Sequence, residues 1–203
     1  MGTAFTNEEK QAIRKKLHKV AKECIQRYGV RKTTVDQMVA MADISKGSFY
    51  NFYSSKEILF FVVLEEYQID IMNHLTGRLG QEAQIDTNQF AELLYDFYQD
   101  FRHSFVYTIF KNHEMELLIR KLPKEVITNH HLIDDRMIEK IVSRINIKET
   151  ISVEIVSALF RTIAMSILHI EEIGEQQFDT ILKLLIQGVV EQITKEDNCE
   201  RSD

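Results

Sequence analysis

Apolar residues recur with a helical period along nearly the whole chain, and polar capping residues mark where one run stops and the next begins. The densest punctuation lies between Thr33 and Leu59. Thr34 and Gln37 form a Thr-x-x-Gln capping box, after which Val35, Met38, Val39 and Ala42 fall on one face of a short helix. That helix is expected to stop at Ala42–Asp43, because Asp tolerates the left-handed conformation a sharp turn needs. Ser45 is the next cap, with Ile44 and Phe49 spaced as a hydrophobic staple around it. Ser54 and Glu57 make a further box that opens the run Ile58, Leu59, Phe60, Phe61. Two helices of about two turns joined by a tight turn describe a helix-turn-helix.

The pattern on either side is also helical. Thr6 and Glu9 form a capping box for a helix to Tyr28, with Gly29 at its C′ position and Ile13, Leu17, Val20, Ala21, Cys24 and Tyr28 as the buried stripe. The helix opened at Ser54 is expected to continue to about Leu79, roughly 35 Å at 1.5 Å per residue. Gly77, Gly80 and the polar stretch from Gln81 to Asn88 read as a linker. Phe90, Leu93, Leu94, Phe97 and Phe101 then repeat with helical period, and Pro123 is expected as the first residue of a helix to about Ile145. Its inward positions are Val126, Ile127, Ile133, Met137, Ile138 and Ile141. The last two helices, from Ile151 to Ile173 and from about Glu175 to Thr194, carry apolar residues on more than one face. Such helices need burial on two sides, and a second copy of the chain is the simplest second side, with Ile186 and Val190 facing it. The tail from Lys195 is polar. The expected class is all-α, with a helix-turn-helix domain over residues 1–54 and a helical effector-binding and dimerisation domain over residues 55–203.

Composition supports the helical reading: 203 residues carry seven Gly, one Pro and no Trp. Cys24 on an apolar face and Cys199 in the polar tail are poorly placed for a disulfide, which fits a reducing cytoplasm. No leader and no apolar run near 18 residues is present, so a soluble protein without a membrane partner is expected. The net charge of −6 argues against nucleic acid until it is divided. Residues 1–60 hold 11 Lys and Arg against 6 Asp and Glu, whereas the remainder holds 14 against 25. A basic N-terminal quarter on an acidic body is the asymmetry of a protein that turns one end to double-stranded DNA.

The outward chemistry of the second short helix sharpens this. Lys46 can meet a phosphate or a guanine edge, and Asn51 has the donor–acceptor pair that reads adenine. Gly47 is a poor helix residue, but it lets a backbone come close to DNA. Ser45, Ser48 and Tyr50 add polar groups on the same short element. The lysines and arginines of the first helix (Arg14, Lys15, Lys16, Lys19, Lys22), with Arg31 and Lys32 after it, read as a solvated face or as phosphate sensors.

The run Thr33-Thr34-Val35, then Ala42 through Tyr53, then Ser55-Lys56-Glu57-Ile58-Leu59, resembles the DNA-binding domain of TetR-family transcriptional repressors. The resemblance covers roughly residues 8–60. It departs from the family pattern at Asp43, where Gly is common, at Phe52, where His or Tyr is common, and at Tyr53, where Phe is common. The resemblance implies a homodimer on a palindromic operator, released when a small lipophilic or aromatic effector shifts the long fourth helix. By family position, Tyr50 and Lys56 are implied to touch phosphate. The DNA-binding set is Thr33, Thr34, Ser45, Lys46, Gly47, Ser48, Tyr50, Asn51 and Lys56. A DNA-binding module without an effector, acting through a protein partner, is the alternative.

Seven of the 19 aromatic residues lie between Tyr95 and Phe110, more than one buried stripe takes up. Phe97, Phe101, Phe105, Tyr107 and Phe110 are therefore the candidate pocket lining, with an ordinary aromatic core as the other reading. His130-His131 beside Asp134-Asp135 suggests a metal at first sight, but adjacent helical residues point about 100° apart and cannot make a one-face site. No metal or cofactor is expected. No phosphate loop, nucleophile elbow or His-x-x-x-His pair suggests an enzyme.

Overall fold

The computed structural model describes residues 5–78, 85–127 and 143–195. Among these the regular elements are all helical: α1 (Asn7–Lys32), α2 (Val35–Ala42), α3 (Lys46–Tyr50), α4 (Lys56–Arg78), α5 (Thr87–His103), α6 (Phe105–Lys111), α7 (Met115–Ile119), α8 (Val153–Leu168), α9 (Ile170–Ile173) and α10 (Phe178–Ile193). Residues 124–127 are also helical, and they begin one position after Pro123. The segment from Gly80 to Gln84, His130, His131, Asp134, Asp135, most of the helix expected after Pro123, and the tail beyond Lys195 lie outside the described residues. The contacts divide the chain into two compact units, Met1–Ile69 with Ser104–Thr128, and Asp70–His103 with Asn129–Asp203.

In the first unit the caps appear as local chemistry dictates. Thr6 and Glu9 form the capping box of α1, and Thr34 and Gln37 that of α2. Asp43 ends α2 in the left-handed region at φ 51° and ψ 52°, and Ser45 caps α3 through the Ser48 amide. α3 has five residues, shorter than expected, because the chain turns at Asn51 and Phe52 while the Phe52 and Tyr53 amides still bond back to the Phe49 carbonyl. One cap differs from expectation. Ser55, not Ser54, accepts the Ile58 amide at 3.2 Å, and Glu57 instead takes a hydrogen bond from Lys121.

α1 is kinked at Gly29, whose φ of 77° is open to glycine and costly to other residues. Leu17, Ala21, Cys24 and Ile25 are fully buried, with Met38, Ala42, Phe49, Leu59 and Phe60 completing the head. Tyr28 departs from the expected stripe and is exposed, since the kink leaves Ile25 and Val30 to fill the core there. α6 packs on α1 and contributes the fully buried Ile109, and Leu118 of α7 is fully buried in the same unit.

In the second unit α10 packs against α5 and α8. Phe90 and Phe160 meet at 6.1 Å between ring centroids, and the Tyr98 hydroxyl donates to the Phe160 carbonyl at 2.8 Å. Arg102 and Gln99 of α5 both reach Asp179 at the start of α10, at 3.2 and 3.1 Å. Isolated bridges pair Ile85 with Ile145 and Ile147 with Thr194. Phe178, Leu182, Ile186, Val190 and Ile193 form the inward stripe of α10. Ile186 and Val190 thus face their own protomer, contrary to expectation, because the i, i+4 series that contains them is the one α5 and α8 cover. The apolar residues most exposed on these two helices are Leu184 and Leu185 on α10 and Ile155 and Met165 on α8, from 43% to 64% exposed. Among the described residues no helix is long and apolar enough to cross a membrane.

Candidate nucleic-acid interface

The helix-turn-helix is held from below and open above. Phe49 is the anchor of α3: it is fully buried, with Tyr53 and Tyr50 against its ring at 6.2 and 5.3 Å. With that residue inward, Lys46, Gly47, Tyr50 and Asn51 stand exposed and Ser48 is half-buried. A Cβ at Gly47 would meet nothing closer than Ser45 Oγ at 3.8 Å. The fold itself therefore does not call for glycine there. Ser45 and Ser48 hydroxyls lie 2.8 Å apart, so each is partly occupied by the other.

Lys46 reaches back to Asp36 on α2, with Nζ 2.9 and 3.1 Å from the two carboxylate oxygens. That hydrogen bond and charge raise the lysine's pKa. The pair is exposed, so the lysine can exchange Asp36 for a phosphate or base at small cost.

Thr33 and Lys56 behave differently from the rest of the set. The Thr33 side chain is buried and its hydroxyl donates to the Gly29 carbonyl at 2.7 Å and the Cys24 carbonyl at 3.3 Å, closing the kinked end of α1. Thr34 is exposed, and its hydroxyl is engaged in the α2 cap. Lys56 Nζ donates to the Val30 carbonyl at 2.7 Å and the Thr33 carbonyl at 2.5 Å, and stands 5.8 Å from the Phe60 ring centroid. Desolvation lowers its pKa, opposed by the nearby charges of Glu57 and Glu114. An ammonium has three donors, so one remains for an anion.

Sequence reasoning missed the other half of this knot. The Glu114 carboxylate, between α6 and α7, accepts the Val30 amide at 2.6 Å and the Arg31 amide at 3.0 Å. Beside it, burial pushes the Glu57 carboxyl up, but the Lys121 hydrogen bond and neighbouring lysine charges outweigh burial and hold it below the usual range. No local pattern could have found Glu114, which lies 84 residues from Val30. Arg14, read from the sequence as part of a solvated or phosphate-sensing face, has its guanidinium 5.9 Å from the centroid of the Phe52 ring.

Residues 17–63 match the family model of bacterial regulatory proteins of the tetR family. The helix-turn-helix segment therefore matches that of the TetR family. Over these residues it corresponds to the DNA-binding element of bacterial regulatory proteins of that family. Solved structures agree in fold over nearly the whole chain. FadR from Bacillus subtilis in complex with stearoyl-CoA is 16% identical, with 90% of this chain and 98% of that one covered and a TM-score of 0.62. The fatty acid degradation regulator FadR from Bacillus halodurans is 13% identical, with 93% and 95% covered and a TM-score of 0.61. A TetR-family transcriptional regulator from Pectobacterium atrosepticum is 16% identical, with 93% and 95% covered and a TM-score of 0.60. At these identities the likeness speaks for fold alone. No curated protein matches the sequence.

The five candidate pocket residues are divided between the two units. Phe105 is buried in the first unit, where Tyr107 and Phe110 are half-buried. Phe97 and Phe101 belong to the second and are half-buried. Phe97 lines a shallow depression of about 20 Å³ with Ile71, Leu75, Leu93, His74 and Asp100, where Arg78 is paired with Asp96.

Proposed function

We propose that the chain is a homodimeric, ligand-responsive repressor. Residues 1–54 bind a palindromic operator, and residues 55–203 bind a small lipophilic or aromatic effector and form the dimer. The observation that carries the reading is α3. It is anchored by a fully buried Phe49 and turns Lys46 and Gly47 at its start, and Tyr50 and Asn51 at its end, to solvent. Such a helix presents its first turns to base edges while its flanks hold phosphate.

The exposed apolar side chains of α8 and α10 support a dimer, which would cover them. Support for a lipophilic effector is less direct: a FadR of the same fold was solved in complex with stearoyl-CoA. To release DNA, the effector must bind the DNA-incompetent state more tightly than the competent one. The depression beside Phe97 encloses only about 20 Å³, far below the roughly 300–1,000 Å³ of small-molecule sites, so a long acyl chain requires it to open. That small, charge-lined depression is also what favours the second reading, a DNA-binding module acting through a protein partner.

Selection of bound sites from random duplexes supplies the operator, and stearoyl-CoA is then titrated against melting temperature and operator binding together. An effector at a hundred times its Kd adds about 2.7 kcal/mol, or about 5–10 °C for a chain of this size. A rise in melting temperature with loss of operator binding supports the repressor reading. No selected sequence sinks the DNA reading, and a melting shift with unchanged operator binding sinks the effector reading.

A further inference from the structure

Glu114 is one of the few buried charged residues described, at 6% exposure. Both of its carboxylate oxygens are committed to main-chain amides of one short segment, Val30 at 2.6 Å and Arg31 at 3.0 Å. The same segment is held from the other side. Lys56 donates to the carbonyls of Val30 and Thr33, so the Val30 residue has its N–H on a carboxylate and its C=O on an ammonium. Gly29 makes room for this: a Cβ there would stand 2.6 Å from Glu114 Oε2 and 3.1 Å from Asn112 Nδ2, on top of the cost of its φ of 77°. The carboxylate itself is delivered by a strained turn. His113, at φ 53°, is one of only two non-glycine residues with positive φ among the described residues; the other is the α2 cap Asp43. A non-glycine residue in that region needs surrounding structure to hold it.

The segment so fixed joins α1 to the helix-turn-helix. It carries the exposed Arg31 and Lys32 side chains and leads through Thr33 into the Thr34 cap of α2. A small rotation about Val30 would swing both cations and the starting direction of α2. We propose that Glu114 is a positioning residue for DNA binding: it locks the Gly29–Thr33 turn so that Arg31, Lys32 and the start of α2 are set for the duplex. Displacing the α6–α7 turn then releases the lock. This rests on the DNA-binding reading above but assigns a role to a residue that touches no DNA. It also gives the Gly29 kink a purpose that helix termination alone does not supply.

The test uses the full-length protein on the selected operator. Glu114→Gln keeps the shape but sets an amide NH2 against one of the two N–H donors, so one bond is lost. Operator affinity should fall about tenfold, the equivalent of one charge-assisted hydrogen bond. The helical circular dichroism should be unchanged, and the Val30 or Arg31 amide resonance should move upfield. A resonance that moves while operator affinity stays within twofold overturns the proposal, because the bond is then irrelevant to DNA. Should the variant not fold, the unmodified protein decides. Reciprocal linkage requires operator binding to slow hydrogen exchange at the Val30 and Arg31 amides, and unchanged exchange there overturns the proposal. An unmodified protein that selects no duplex fails at the DNA-binding reading, a different outcome from a normal protein whose Glu114→Gln variant binds equally well.

Discussion

Lys56→Met tests two roles of one side chain at once. Methionine keeps most of the apolar stem that lies near the Phe60 ring and removes only the ammonium. Two acceptors then lose their donor, the Val30 carbonyl at 2.7 Å and the Thr33 carbonyl at 2.5 Å. A hydrogen bond to a charged group is worth about 1.5–3 kcal/mol, but desolvation of the ammonium, already visible as its lowered pKa, cancels part of this. We expect a net loss of about 1.5–3 kcal/mol, which lowers the melting temperature by about 3–12 °C. The third donor of the ammonium is the one available to phosphate. Its removal should lower the slope of log K against log salt by about 0.9, equally on operator and scrambled duplexes. Thermal melts and salt titrations by fluorescence anisotropy read the two effects separately. An unchanged melting temperature would show that the carbonyls do not depend on Lys56. An unchanged salt slope would remove its phosphate contact, leaving a clamp that is purely internal.

Asn51→Ala should cost about 1–3 kcal/mol on the operator and little on random DNA if Asn51 reads a base; equal losses on both remove it from the reading set. Leu184→Glu, at the most exposed large apolar residue of α10, should give a folded monomer by sedimentation with its helical signal intact. A stable monomer of the unmodified protein at micromolar concentration would refute the dimer. Tyr98→Phe probes the alkaline arm of stability. Burial raises the Tyr98 pKa well above 10, so its contribution is complete below pH 10 and fades as pH climbs from there toward the folded value. The variant should lose about 0.5–1.5 kcal/mol at neutral pH with its bond to the Phe160 carbonyl, and lose less than the parent above pH 10. Parallel alkaline curves for the two proteins would exclude Tyr98 as the source.

Local chemistry was legible along the chain wherever the partner lies within a few residues. The boxes at Thr6–Glu9 and Thr34–Gln37, the left-handed Asp43 and the Ser45 cap all stand in the fold as the spacing implies. Together with the run to Leu59, they sufficed to recognise a helix-turn-helix of the TetR type, because that motif is built almost wholly from caps and one short apolar stripe. Where two neighbouring residues could serve equally, as at Ser54 and Ser55, spacing alone misplaced the cap by one.

Tertiary structure decided which apolar face is inward and what holds the turn before α2. Hydrophobic period shows that α10 has two apolar faces but is silent on which one its own protomer covers, so Ile186 and Val190 were assigned to the wrong one. The aromatic run from Tyr95 to Phe110 likewise breaks at Ser104, whose side chain caps α6 and sends its rings into a different unit from those of α5. Thr33 and Lys56 carried the resemblance as DNA contacts, yet their hydrogen bonds also knit α1 to α4. Glu114 left no trace in the local pattern because its two bonds span 84 and 83 residues. A hydrogen bond is read from sequence when chain geometry puts donor and acceptor together; when only packing brings them within 3 Å, the pairing belongs to the fold.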